Sequence, residues 1–183
     1  MENKTYLPKR KATRLKGFDY SSVGAYFITV CTEKRKKILS DISVGDGVLD
    51  VPNNTLTKYG EIADRYLNEM NDFYDFITID KYVIMPNHIH LILSIITQDA
   101  SSNSGTSGTP SPTFQPDIIH KHTTIIPQFI STFKRFCNKE YGTNIWQRAS
   151  NDHIIRGEKD YQKIWEYIDT NVAKWKEDCF YTE

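Results

Sequence analysis

The run Ala25 to Thr32 (AYFITVCT) is dense in β-branched and aromatic residues and stops at the charged segment Glu33 to Lys37, which predicts a strand. Asp41 to Asn54 carries two glycines, a proline and paired asparagines, the composition of a loop or small hairpin with Val48 to Val51 as a minor strand. From Thr57 to about Phe73, Ile62, Ala63, Tyr66, Leu67 and Met70 recur at helical spacing, so this segment is expected to lie as a helix on a sheet. Phe76 to Met85 and His88 to Ile96 are strand-like runs separated only by Pro86 and Asn87, where an antiparallel hairpin would close. A second helix is expected from near Pro127 to Gly142, with Phe129, Ile130, Phe133, Phe136 and Cys137 as its apolar stripe. Ile145-Trp146 and Asp152 to Arg156 suggest a short strand with its lead-in. A final helix is expected over Glu158 to Lys176, with Tyr161, Ile164, Trp165 and Ile168 at helical spacing and acids in its first turn. The order β-α-β-β-α-β is that of an α+β, ferredoxin-like antiparallel sheet with helices on one face, followed by a C-terminal helix.

Length narrows this to one domain. At 183 residues the chain suits a single unit over 1–183, with a basic N-terminal extension (about 1–17) and a flexible Ser/Gly/Thr/Pro loop (about 97–116). An apolar fraction of 39% and a charged fraction of 25% fit a globular protein with a core. No stretch approaches the roughly 20 consecutive apolar residues of a membrane span, and MENKTYLPKRKATR lacks a signal-peptide core, so a cytoplasmic location and no membrane partner are expected. Three widely spaced cysteines, Cys31, Cys137 and Cys179, read as reduced thiols.

Lys plus Arg and Asp plus Glu number 23 each, so net charge gives no argument for a nucleic-acid partner, but the distribution does. Lys9, Arg10, Lys11, Arg14 and Lys16 form one basic stretch, and Lys34, Arg35, Lys36 and Lys37 another; Lys134 and Arg135 share a helix, and acids gather elsewhere.

His88 and His90 alternate along a predicted strand, so both imidazoles leave the same face about 7 Å apart along the chain and can share one cation. A third ligand must come from elsewhere, and either histidine could equally pack at a sheet surface. Tyr167 and Asn171 stand four apart on the last helix, on one face with β-carbons about 5–6 Å apart. A phenol could attack there while an amide oxygen holds the metal, or the tyrosine could fill a core edge. His153 could contact DNA, buttress the site or serve as an ordinary strand histidine.

Taken together, HIH on a central strand, a basic helix and a C-terminal helix carrying YxxxN resemble the HUH single-tyrosine transposases, the insertion-sequence and REP-associated tyrosine transposases. The resemblance covers about Phe18 to Tyr181 and is carried by YFITVCTEKRK, YVIMPNHIHLIL, IWQR, DHIIR and YIDTNVAKWKED. It implies a metal-dependent site that cleaves and rejoins single-stranded DNA, next to a hairpin, through a 5′-phosphotyrosine. By this resemblance Tyr167 is the nucleophile, His88, His90 and Asn171 hold Mg²⁺ or Mn²⁺, and Ile89 points into the core. Candidate DNA contacts are Lys9, Arg10, Lys11, Arg14 and Lys34 to Lys37, together with Lys134, Arg135, Arg148, His153 and Arg156. A homodimer that exchanges the tyrosine helix and a monomer are both compatible with it.

The chain departs from the family pattern in two places. Asn171 is followed by Val172 rather than proline, which is expected to lengthen the last helix, and Ser150-Asn151 replaces the aromatic usually found before DHIIR. The alternatives are a relative that binds a DNA or RNA hairpin without cleaving it, and a metal hydrolase using HIH with His120 or His122.

Overall fold

The computed structural model describes residues 18–43, 52–96 and 125–181. Its strands are β1 (Gly24–Cys31), β2 (Ser40–Ser43), β3 (Asn53–Leu56), β4 (Ile77–Met85), β5 (His88–Ile95) and β6 (Asn151–Ile154). Its helices are α1 (Lys58–Phe73), α2 (Ile125–Tyr141) and α3 (Glu158–Thr170), with single 3₁₀ turns at Glu33–Arg35 and Trp175–Glu177.

Four strands form one sheet in the order β4-β5-β1-β6, with β1 antiparallel to both neighbours and β4 antiparallel to β5. β1 and β4 thus run the same way with β5 between them, the split arrangement expected of a ferredoxin-like sheet. Alternation along the strands divides the faces. Tyr26, Ile28 and Val30 of β1 and Ile89, Leu91 and Leu93 of β5 pack in one core with Ala63, Leu67 and Met70 of α1 and Phe129, Ile130 and Phe133 of α2. The opposite face carries His88, His90 and Ile92 on β5 and Phe27 and Thr29 on β1; Ile164 and Ile168 of α3 close over Ile92. Two helices therefore share one face and the C-terminal helix takes the other.

The Pro86-Asn87 hairpin forms as expected, with Met85 opposite His88. Neither residue has the positive φ of the primed turns that favour two-residue hairpins. The turn is held by its surroundings instead: Ile38 and Leu39 N–H donate to the Pro86 carbonyl at 2.9 and 3.0 Å, and Thr32 N–H and hydroxyl donate to that of Asn87 at 2.9 and 3.0 Å. The same Leu39 loop meets α1. Thr57 caps α1 by accepting from Gly60 N–H, and a Cβ at Gly60 would stand 2.0 Å from the Leu39 carbonyl oxygen.

Several boundaries differ from the sequence reading; β6, expected over Asp152 to Arg156, runs from Asn151 to Ile154. β1 starts and stops one residue earlier than expected. The minor hairpin pairs Ser40–Ser43 with Asn53–Leu56; Val48 to Val51, assigned to its second strand, lie outside the described residues. α2 begins two residues before Pro127, which a first turn tolerates because its N–H has no intrahelical partner. The last helix ends at Thr170 rather than running to Lys176. Residues 171–174 form turns and the 3₁₀ turn follows, so the chain doubles back and brings Asp178 under α3. Replacing proline by Val172 does not extend the helix, because hydrogen bonds from Tyr167 and Asn171 to Asp178 reward the reversal. The N-terminal extension, the loop at 97–116, His120 and His122 lie outside the described residues.

Candidate active site

β5 places His88 and His90 side by side, both fully buried, with ring centroids 4.3 Å apart. Each ring is oriented by a neighbour. Asn87 Oδ1 lies 2.8 Å from His88 Nδ1, while Asn87 Nδ2 donates to the Phe180 carbonyl at 2.8 Å, which fixes the amide with its oxygen toward the imidazole. An amide oxygen only accepts, so His88 carries its proton on Nδ1 and presents a bare lone pair on Nε2. That atom is buried with no hydrogen-bond partner. His90 Nδ1 lies 2.9 Å from the hydroxyl of Thr29, its strand partner. A hydroxyl donates or accepts, so Thr29 supports either tautomer of His90 and can free Nε2.

α3 and the segment after it complete the group. Tyr167 Oη lies 3.1 Å from His90 Nε2 and donates to Asp178 Oδ2 at 2.7 Å. Asn171 Nδ2 donates to the same carboxylate oxygen at 2.7 Å, while Asn171 Oδ1, also buried, has no partner. His90 Nε2 and Asp178 Oδ2 are 3.7 Å apart. One ligand atom from each of His88, His90 and Asp178 lies within 4.8 Å of the others, among the described residues the one such trio of histidine, cysteine or acid.

The electrostatics fit a cation. Burial holds the His88 imidazole down at about 3, helped by neighbouring His90 and opposed by Asp178, and burial likewise lowers His90. Both are neutral at physiological pH, the form that ligates metals. Burial alone would raise the Asp178 carboxyl; contacts with His90, Asn171, Tyr167 and the Phe180 N–H outweigh it and hold the acid well below its ordinary range. Tyr167 is pushed above its usual value by burial, then by its hydrogen bond to Asp178 and that residue's charge. The centre therefore holds a buried anion, two neutral imidazoles, an unpaired imidazole nitrogen and an unpaired amide oxygen. Such a set is costly without a positive partner, and its nitrogen and oxygen donors match a divalent ion.

Sequence reasoning found His88, His90, Tyr167 and Asn171, and the fold brings all four together. It missed Asp178, which lies beyond the helical pattern in the polar KEDCF segment and reaches the histidines only because α3 stops at Thr170. It also missed the aromatic cover: the Phe180 ring lies 4.8 and 5.6 Å from His88 and His90, and Trp175 lies 5.9 Å from His88.

The basic candidates divide by position. Lys34 and Arg35 lie on the 3₁₀ turn after β1 and Lys36 and Lys37 follow it; the Arg35 guanidinium sits over Phe180 at 4.9 Å and donates to the Cys179 carbonyl at 3.1 Å. Lys134 Nζ donates to the Gln147 carbonyl at 2.9 Å and also meets those of Arg148 and Ala149, tying α2 to the lead-in of β6. A concavity of about 670 Å³ between α2 and this lead-in is lined by Lys134, Arg135, Lys139 and Arg148, with no carboxylate among the described residues. His153 Nε2 lies 2.9 Å from Asp160 Oδ2, which also accepts from the Arg156 N–H. Lys9, Arg10, Lys11 and Arg14 fall outside the described residues.

Comparison with known proteins gives a consistent picture. A Haemophilus influenzae protein described as uncharacterized is 30% identical over 180 residues, 95% of this chain and 94% of that protein. A second from the same organism, described as a "putative REP-associated tyrosine transposase", is 25% identical over 157 residues, covering 85% of this chain and 74% of the relative. Among solved structures, a REP-associated tyrosine transposase bound to a REP hairpin shares the fold, with a TM-score of 0.57 and 19% identity over 88% of this chain and 74% of the other. No protein-family model matches the chain.

Proposed function

The chain belongs to the family of REP-associated tyrosine transposases, and on that premise we propose that it is a metal-dependent transposase that cleaves and rejoins single-stranded DNA beside a hairpin. One observation carries the reading: the phenol of Tyr167 is hydrogen-bonded into the same buried cluster as His88, His90, Asn171 and Asp178. A nucleophile and a set of metal-ligating groups thus converge on one point from β5, α3 and the C-terminal segment.

The residues divide the work as follows. His88 Nε2, His90 Nε2, an Asp178 oxygen and Asn171 Oδ1 would hold a divalent cation, Mg²⁺ or Mn²⁺ in use. Bound there, such a cation supplies positive charge that polarises the scissile phosphate, steadies the departing 3′ oxygen and lowers the tyrosine pKa. Asn87 and Thr29 orient the imidazoles from behind, as outer partners of metal-binding histidines do. Tyr167 Oη attacks phosphorus, its bond to phosphorus forms, and the bond from phosphorus to the 3′ oxygen breaks. The phenol proton passes to solvent while Asp178 Oδ2 keeps the phenol oriented through the hydrogen bond it accepts, and the 3′ oxygen takes up a proton to become a hydroxyl. The 5′-phosphotyrosine retains the energy of the phosphodiester, so attack by another 3′-hydroxyl rejoins strands without a nucleotide cofactor. Arg135, Lys139 and Arg148, which line the concavity beside α2, would meet the phosphates of the hairpin stem.

Incubation with hairpin-bearing single-stranded DNA and Mn²⁺, followed by a denaturing gel, tests this. The wild type should yield a covalent protein–DNA band that Tyr167→Phe and chelator both abolish. Tight hairpin binding without a band would favour a non-cleaving binder, and cleavage retained in Tyr167→Phe would remove the tyrosine mechanism.

A further inference from the structure

The histidine-bearing face of the sheet continues onto β1 and β6, where Phe27 and His153 are not among the residues that would hold the cation. α3 packs against β4 and β5. Next to it Phe27 is half-buried, its ring 5.1 Å from that of His90 and 6.0 Å, edge-on, from that of Tyr167. Its strand partner is His153, whose side chain is 54% exposed, and Asn151 and Arg156 near it are exposed. An aromatic ring that is only partly buried thus stands beside the nucleophile's ring, with an exposed imidazole on the neighbouring strand. The part of a partly buried phenylalanine that remains exposed gains by being covered, and every nucleobase offers a flat π-face for that purpose.

We propose that Phe27, flanked by His153, is a stacking platform for an unpaired base next to the scissile phosphate. This rests on the reading of the chain as a single-strand transposase. A base seated on Phe27 at about 3.5–4.0 Å lies directly beside Tyr167, so stacking fixes the strand's position relative to the attacking oxygen. Arg156, exposed two residues beyond β6, would meet the backbone of the same strand, which keeps the platform tolerant of sequence while the hairpin supplies recognition. Phe27 is a positioning residue, since it acts on the substrate's placement and not on the bonds that change.

The experiment uses the full chain in chelator, so that binding is read without cleavage, and two fluorescent probes: a GC hairpin with six-thymidine tails on both sides, and the same hairpin with abasic tails. Wild type should prefer the thymidine tails by about tenfold, the lower part of the range for one stacked base. Phe27→Leu keeps an apolar side chain of similar size. It should lose that preference by weakening the thymidine probe about tenfold while leaving the abasic probe within twofold; Phe27→Trp should restore it. With Mn²⁺ and a cleavable strand, Phe27→Leu should raise KM more than it lowers kcat, whereas damage to the metal cluster would lower Mn²⁺ affinity. If Phe27→Leu keeps the wild-type preference, or weakens both probes equally, the platform is overturned while hairpin binding still supports the transposase. If the wild type binds neither probe, the transposase reading falls and the platform with it.

Discussion

Asp178 decides the character of the centre at the residue scale. Without it, two neutral imidazoles and an amide would face Tyr167 with no buried charge; with it, a carboxylate sits against two histidines and holds both Tyr167 and Asn171. If His88, His90 and Asp178 form one cation site, each should matter to metal affinity independently of cleavage. Calorimetric titration with Mn²⁺ should show affinity reduced at least tenfold in His88→Ala and in Asp178→Ala, since removing one ligand of a small set weakens the whole. Tyr167→Phe should remain within a fewfold of wild type, because the phenol is a hydrogen-bond partner of Asp178. Undiminished Mn²⁺ binding by Asp178→Ala would confine that residue to holding Tyr167 and Asn171. The visibility of these residues in the sequence followed their spacing only in part. His88 and His90 are legible because a strand puts alternate residues on one face; a helix likewise puts Tyr167 and Asn171 on one face, but that spacing also suits a tyrosine at a core edge, and only the family resemblance singles the two out. Asp178 follows no repeat: its position depends on a chain reversal stabilised by the very groups it touches, a tertiary cause that no local pattern encodes.

At the level of elements, the hairpin of β4 and β5 and the contact of α1 with the Leu39 loop set where the histidines stand. Pro86 supplies a carbonyl that two loop amides grip, and the same loop abuts Gly60 so closely that a methyl group there would collide with the Leu39 carbonyl oxygen. Gly60→Ala should therefore destabilise the fold although alanine is the better helix former. Backbone displacement of this kind costs about 3 kcal/mol, and for a chain of this size it corresponds to a fall in Tm of roughly 6–12 °C, measurable by calorimetry. An unchanged Tm would mean that the loop moves aside freely. Elements with a strong period were readable from sequence within a few residues, as with α1, β4 and β5. The strands paired in the minor hairpin and the end of α3 were not, since both depend on what the chain meets in space and have no periodicity of their own.

Over the whole molecule, equal numbers of acids and bases conceal an uneven surface. The concavity beside α2 gathers Lys134, Arg135, Lys139 and Arg148, without a carboxylate among the described residues, while Lys81 and Asp169 pair on the opposite side of the sheet along α3. If the concavity meets the hairpin backbone, Arg135→Ala and Arg148→Ala should each weaken hairpin binding and reduce the slope of log affinity against log salt by about one, and Mn²⁺ affinity should stay unchanged. Lys134→Ala should also lower Tm, because that ammonium ties α2 to the lead-in of β6. A salt slope untouched by either arginine would move the backbone contacts to another surface. The sheet order was legible as a series of elements, whereas the division of the helices between two faces follows from which side of β5 carries isoleucine and leucine and which carries histidine.

The proposed reaction turns on one covalent bond, and mass spectrometry can locate it. After reaction with hairpin-bearing single-stranded DNA and Mn²⁺, nuclease and trypsin digestion should leave a nucleotide on the peptide Ile164 to Lys174, attached at Tyr167. The adduct should be absent from His88→Ala, His90→Ala and chelated samples. A nucleotide attached to any other residue, or cleaved strands bearing free 5′-phosphates with no adduct at all, would contradict it.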